Sequence, residues 1–348
     1  MLRKLFIAVI SGCIFLAIGV ALLFWMQREV LEQTLQVEAE QVLTVPAGST
    51  PNALLLQLEQ QGALHGAFWL RLTWRLQGHV QPLHAGEYQL SPAMTVAQLL
   101  EKWRSGDVLQ YRVTLVEGWN FRQLRSALAQ QDKLQHTLAD VSDSELMRML
   151  GQANVHPEGR FFPDTYNFVR GQTDFDILQQ AHQRLQKVLA QEWAERADDL
   201  PYRSPDEALI MASIIEKETG VAYEREEIAG VFIRRLKLGM LLQTDPTVIY
   251  GMGERYAGKI TRADLRRPTA YNTYVIAGLP PTPIAMVGRE AIYAALHPKP
   301  GKSLYFVARG DGTHVFSNTL AEHNKAVREF QLKRRADYRS SPAPTTAQ

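Results

Sequence analysis

Leu5 to Met26 is a run of 22 residues without a charge, and no other feature restricts the chain so strongly. A helix of that length rises about 33 Å, enough to cross the apolar core of a bilayer. Arg3 and Lys4 precede the run; Arg28, Glu29 and Glu32 follow it without a positive excess. The positive-inside rule then predicts residues 1–4 as a cytoplasmic tip, 5–26 as a single transmembrane anchor, and the rest of the chain on the other side. A cleaved signal peptide competes with this reading, with Gly19-Val20-Ala21 as the small-x-small site. The apolar run continues past that point through Leu22, Leu23, Phe24 and Trp25, which favours an uncleaved anchor, with Trp25 suited to the interface.

The whole chain, 348 residues with 46% apolar and 21% charged side chains, describes a folded protein of two or three units. A net charge of +2 gives no nucleic-acid surface. The single cysteine, Cys13, excludes an intramolecular disulfide and a cysteine zinc site.

Residues 27–40 are polar and helix-prone and read as a stalk. A loose repeat follows. Leu43–Leu64, Gly86–Asp107 and Val113–Leu134 each show an alternating strand, a turn and an amphipathic helix, which predicts an α+β arrangement. Helical spacing covers Thr137–Leu150 and Phe175–Glu195. Between them Pro157–Phe168, "PEGRFFPDTYNF", reads as a loop whose aromatics either cap a core or stack on sugars. Ser204 and Pro205 open an apolar helix ending at Gly220. Glu224–Met240 is a second helix, with Ile228, Val231, Phe232 and Leu236 inside and Arg234, Arg235 and Lys237 outside. "LLQTDPTVIYGMG" and "RPTAYNTYVIAGLPPTPIAMVG" read as loops. "SLYFVAR" and "THVFS" read as a hairpin around Gly310-Asp311-Gly312. Residues 333–348 read as a flexible tail.

"DEALIMASIIEKETG" ends its apolar run in two glutamates. Two residues on a helix turn ~200°, so Glu216 and Glu218 cannot enter one cleft. Glu218 extends the stripe of Met211, Ile214 and Ile215, and Glu216 extends Leu209, Ala212 and Ser213. A carboxyl beside an apolar wall is desolvated, its pKa rises, and it can serve as a general acid near neutrality. By geometry alone a solvated helix-end glutamate remains the competing reading.

The nine histidines show no HExxH spacing, and neither a nucleophile elbow nor a phosphate-binding glycine loop occurs. No metal and no cofactor are expected. The polar, turn-rich segments around Gln243, Asp245, Tyr271, Asn272 and Thr273 are candidates for holding a polyhydroxylated ligand, or else form a hydrogen-bonded loop scaffold.

"ASIIEKET", "RLKLGMLLQTDPTVIYGMG", "TAYNTYVIAGLPPTPIA" and "LYFVARGDGTHVFSNTLAEHN" resemble, in order and spacing, the endolytic murein transglycosylases of the MltG (YceG-like) family. The resemblance covers nearly the whole chain and is densest over Ala212–Asn324. It implies a bitopic inner-membrane protein: a LysM-like α+β subdomain over 41–110, a larger α+β catalytic domain over 111–332, and peptidoglycan as substrate. The family's catalytic glutamate falls on Glu218, with Glu216 in support. One departure from the family pattern is Thr282-Pro283 after "GLPP". The implied reaction cuts the MurNAc–GlcNAc β-1,4 bond within nascent strands, leaves 1,6-anhydroMurNAc ends and terminates elongation, with peptidoglycan synthases as possible partners. Two other functions are weighed against it. One is a muramidase hydrolysing the same bond with Asp245 as partner; the other is a non-catalytic peptidoglycan-binding scaffold.

Overall fold

A computed structural model of the chain describes residues 2–77 and 83–333; residues 334–348 of the expected tail lie outside them. Contacts divide the chain into two units, 1–111 with 167–172, and 112–166 with 173–348.

The first unit begins with α1 (Leu2–Glu32), a helix long and apolar enough to cross a membrane. Then come β1 (Gln41–Val45), α2 (Pro51–Gln60), α3 (Ala67–Gln77), β2 (Gly86–Leu90) and α4 (Val96–Ser105). The strands pair antiparallel with Leu43 opposite Tyr88. Local signals set the helices. Thr50 caps α2 ahead of Pro51, Thr95 and Gln98 form a reciprocal capping box on α4, and Gly106 ends α4 in the left-handed region. Leu55, Leu58, Leu70, Tyr88, Leu99 and Trp103 fill the core. The helix expected over 27–40 stops at Glu32, and Val30 and Leu35 belong to this core. Gln33 clamps the His65 backbone in both directions, at 2.8 and 2.9 Å.

β3 (Gln110–Thr114) follows, then α5 (Phe121–Ala129), α6 (Asp143–Met149) and β4 (Thr165–Val169), which pairs with β3. Next are α7 (Asp174–Ala194), α8 (Pro205–Glu218), α9 (Arg225–Lys237), α10 (Asp245–Met252), α11 (Arg262–Arg266) and α12 (Arg289–Leu296). The hairpin of β5 (Tyr305–Ala308) and β6 (His314–Ser317) and then α13 (Leu320–Val327) complete the second unit. α8 is its central element. Every residue from Ala208 to Ile215 is buried, and all but Ile210 and Ser213 pack with α9, α12 and α7 in one apolar cluster.

Four sequence expectations are corrected. The helix expected over Thr137–Leu150 starts only at Asp143, because the buried Asp174 carboxylate takes the backbone N–H groups of Thr137 and Leu138. The loop expected over Pro157–Phe168 becomes a strand from Thr165, with Tyr166 and Phe168 alternating inward. Phe161 and Phe162 are core residues and present no face to a sugar. "DPTVIYGM" is helix α10 rather than loop, opened by Pro246 in its first turn. Arg235, placed outside on α9, is 7% exposed and donates to the carbonyls of Leu241, Leu242 and Leu304. Three backbone acceptors and the face of Tyr305, 5.0 Å away, replace the water it gives up.

Candidate active site

The last turn of α8 sends its two glutamates apart. Glu216 accepts from the Gly288 backbone N–H at 3.0 Å, at the start of α12. Burial pushes its carboxyl up, the Gly288 bond opposes this, and Glu117 adds to the rise. Gly288 has no side chain to hold Glu117 off; a Cβ there would lie 2.1 Å from the Glu117 carboxylate. Glu216 therefore ties α8 to α12 and is not part of the cleft that Glu218 enters.

Glu218 points into a cleft of about 560 Å³ with Gln243, Thr244, Asp245, Tyr274, Tyr305 and His314. Behind it stand Ile214 and Ile215, both fully buried. Burial raises its carboxyl pKa to about 7; a hydrogen bond donated by the Thr244 hydroxyl to Oε1 works against the shift, and the nearby Asp245 charge adds to it. Oε2 has no protein partner among the described residues, so one oxygen is held and the other is free for a ligand. Such a group is half protonated near neutrality and can hand a proton to a leaving oxygen.

The loop after α8 frames this acid. Gln243 sits in the left-handed region at φ 53, uncommon for a side chain of its kind, and its N–H bonds to the Thr273 carbonyl at 3.0 Å. That turn sets Thr244 against Glu218. Asp245 is exposed in the cleft and accepts from the Tyr274 hydroxyl at 2.7 Å.

Among the expected ligand contacts, Gln243 and Asp245 thus meet Glu218. Tyr271 does not: it lines a separate cavity of about 940 Å³ with Tyr250 and Glu158, and bonds to Thr282 at 2.8 Å. Asn272, 1% exposed, spends its amide nitrogen on the carbonyls of Asp264, Leu265 and Arg267. Thr273 is fully buried, bonded to Thr244 N and Thr247. Both are scaffold, the other of the two readings the sequence allowed.

Three residues escaped the sequence reading. Thr244 could have been found as the residue before an Asp-Pro helix start. Tyr274 carries no local signal. Glu158 lies between Pro157 and Gly159, ahead of two core phenylalanines. It is 3% exposed, accepts from Phe121 N–H and the Tyr250 hydroxyl, and burial raises its pKa to about 7.

The second unit is a mixed helix–strand body whose central helix ends in one half-held carboxyl at an open polar cleft, a candidate acid with Asp245 exposed beside it. The sequence profile of the YceG-like family matches residues 43–329, and the chain belongs to that family. It is 31% identical over 306 residues to a Bacillus subtilis protein named endolytic murein transglycosylase, across 83% of this chain and 84% of that one. A Streptococcus pneumoniae protein of the same name is 25% identical over 92% of this chain, which spans 64% of that relative's length. The crystal structure of a YceG-like protein from Listeria monocytogenes superposes with a TM-score of 0.54 at 33% identity, covering 83% of this chain and 99% of that one.

Proposed function

We propose that the protein is an endolytic murein transglycosylase that cuts the MurNAc–GlcNAc β-1,4 bond of peptidoglycan with Glu218 as its acid. The half-held, desolvated carboxyl of Glu218 in an open polar cleft carries this reading, and the names of the relatives support it. Protonated Glu218 gives its proton to the leaving oxygen. The C6 hydroxyl of the same MurNAc attacks C1, and the resulting carboxylate takes up the hydroxyl proton, leaving a 1,6-anhydro end. An internal nucleophile has a high effective molarity, so no second carboxylate is needed to hold a water.

Thr244 orients Glu218, and Glu216 anchors the helix that carries it. Gln243 and Asp245 are the proposed sugar contacts beside the acid; Tyr271 belongs to a neighbouring cavity and contacts the strand only if it extends that far. α1 is the proposed single-pass anchor in the inner membrane, with the N-terminus cytoplasmic and the catalytic unit outside. Residues 41–110 form a proposed LysM-like glycan-binding subdomain, a reading supported by their order of strand, two helices, strand and helix. An enzyme held at the membrane would clip strands as synthases extrude them, ending their elongation.

Purified glycan strands incubated with the protein are expected to yield fragments, and Glu218→Gln to release them about 10²–10⁴-fold more slowly. Equal release by that variant would sink the assignment. Binding without release by either protein would favour a scaffold.

A further inference from the structure

α3 has two apolar faces, and the core uses only one. At ~100° per residue, Ala67, Leu70 and Trp74 fall on one side and are buried in the first unit. Phe68, Leu72 and Leu76 repeat every fourth residue on the other side. Phe68 is 58% and Leu76 69% exposed, and Leu72 is half-buried. Arg71 and Arg75 flank this outer stripe on one edge, and Trp69, edge-on to Phe68 at 5.2 Å, lies on the other. Among the described residues neither arginine has an acidic partner. An exposed apolar stripe with cations and a tryptophan beside it is costly in water and suited to an interface between lipid and water.

The position of α3 makes the lipid surface its occupant. α3 packs against α1 within the first unit. Its start is fixed there: Gly66 has φ +71, and a Cβ at that site would lie 3.0 Å from Val30 Cγ2. Gln33 holds the His65 backbone directly before it. Val30 comes four residues after Met26, the end of the uncharged run, a rise of about 6 Å. The headgroup layer on each side of a bilayer is about 5–8 Å deep. Leu23 and Met26 are also partly covered, whereas nearly all earlier residues of the run are exposed.

We propose that α3 is an interfacial helix: Phe68, Leu72 and Leu76 enter the lipid surface beside the exit of α1, and Arg71 and Arg75 meet anionic headgroups. The proposal rests on the reading of α1 as a membrane span. It makes the first unit a two-point attachment, anchored by α1 and pinned by α3, which restricts rotation of that unit about the anchor.

The test uses the full chain in vesicles of zwitterionic and anionic phospholipid. An environment-sensitive fluorophore is placed on the native Cys13 in one sample. In a Cys13→Ser background it is placed on Leu72→Cys or Leu76→Cys. Nitroxide lipids labelled at the headgroup or deep in the acyl chain serve as quenchers. The proposal expects Cys13 to be quenched by the deep label. It expects both α3 positions to be quenched by the headgroup label, with loss of that quenching on Arg71→Gln/Arg75→Gln or on removal of anionic lipid. Quenching at Cys13 with none at Leu72 or Leu76 overturns the interfacial helix and leaves the anchor standing; a protein or glycan occupant of the stripe would give this result. Absence of deep quenching at Cys13 overturns the anchor and the proposal with it.

Discussion

Two glutamates of the second unit are desolvated alike and held differently. Glu218 and Glu158 are each desolvated until the carboxyl pKa reaches about 7. Glu158 has both oxygens engaged, by Phe121 N–H and the Tyr250 hydroxyl, and joins α5, α10 and its own loop. Glu218 has one oxygen held by Thr244 and faces an open cleft. Burial alone supplies a raised pKa; an acid also needs a free oxygen, which Glu158 lacks although it borders a cavity of its own. The comparison explains why a perturbed carboxyl by itself is weak evidence of catalysis.

The largest test of this contrast is to remove each proton donor. Glu218→Gln is expected to lower turnover of glycan strands about 10²–10⁴-fold, the usual worth of a general acid. Glu158→Gln should stay within about tenfold of the unmodified enzyme, because it alters packing and no proton transfer. Comparable losses in both variants would erase the distinction. Stability separates them further. A carboxyl raised in the folded state binds its proton more tightly there than in the unfolded chain. Its favourable contribution is complete below the unfolded value near 4.5 and is lost as pH rises through about 7. Both glutamine variants should therefore gain roughly 2–3 kcal/mol on the unmodified protein between pH 5 and pH 8 in thermal melts. Glu158→Ala, which leaves Phe121 N–H and the Tyr250 hydroxyl unpaired, should lose about 1–3 kcal/mol at pH 5.

Smaller effects fall on the pH profile. Activity should decline as pH rises through about 7, where Glu218 loses its proton. Thr244→Val removes a hydrogen bond that favours the charged form, so the falling limb should move to higher pH, by roughly half a unit to one unit. Asp245→Asn removes a like charge, so the limb should move the other way by a few tenths of a unit. Whatever cleavage remains should still give 1,6-anhydro ends, because Asp245 contacts sugar and transfers no proton; a change in product form would point instead to Asp245 as a muramidase partner. Stopped assays across pH measure both shifts, and either shift in the opposite sense would remove Glu218 as the titrating acid.

Much of this was legible in the sequence because it depends on local signals. Ser204-Pro205 set the start of α8, the Met211-Ile214-Ile215 stripe set its buried face, and the two-residue spacing separated Glu216 from Glu218. The strand–helix repeats were readable for the same reason, from caps and alternation. Tertiary partners were not. Asp174 takes up two N–H groups that helical spacing assigned to a longer helix. Arg235 carries a charge and reads as surface, yet three carbonyls that meet only in the fold hold it inside. Asn272 and Thr273 have the side chains of ligand contacts, and their donors and acceptors are consumed by the loop that aims Thr244. Glu158 gave no warning, since its burial depends on α5 and α10 closing over a short Pro-Gly segment.

The central claim is that Glu218 works with the sugar's own hydroxyl and without water. Cleavage of glycan strands in oxygen-18 water, followed by mass spectrometry of the fragments, tests it directly. The expected fragments carry 1,6-anhydro ends, lighter than a reducing end by one water and free of the heavy isotope. Reducing-end fragments that incorporate oxygen-18 would contradict it and establish hydrolysis.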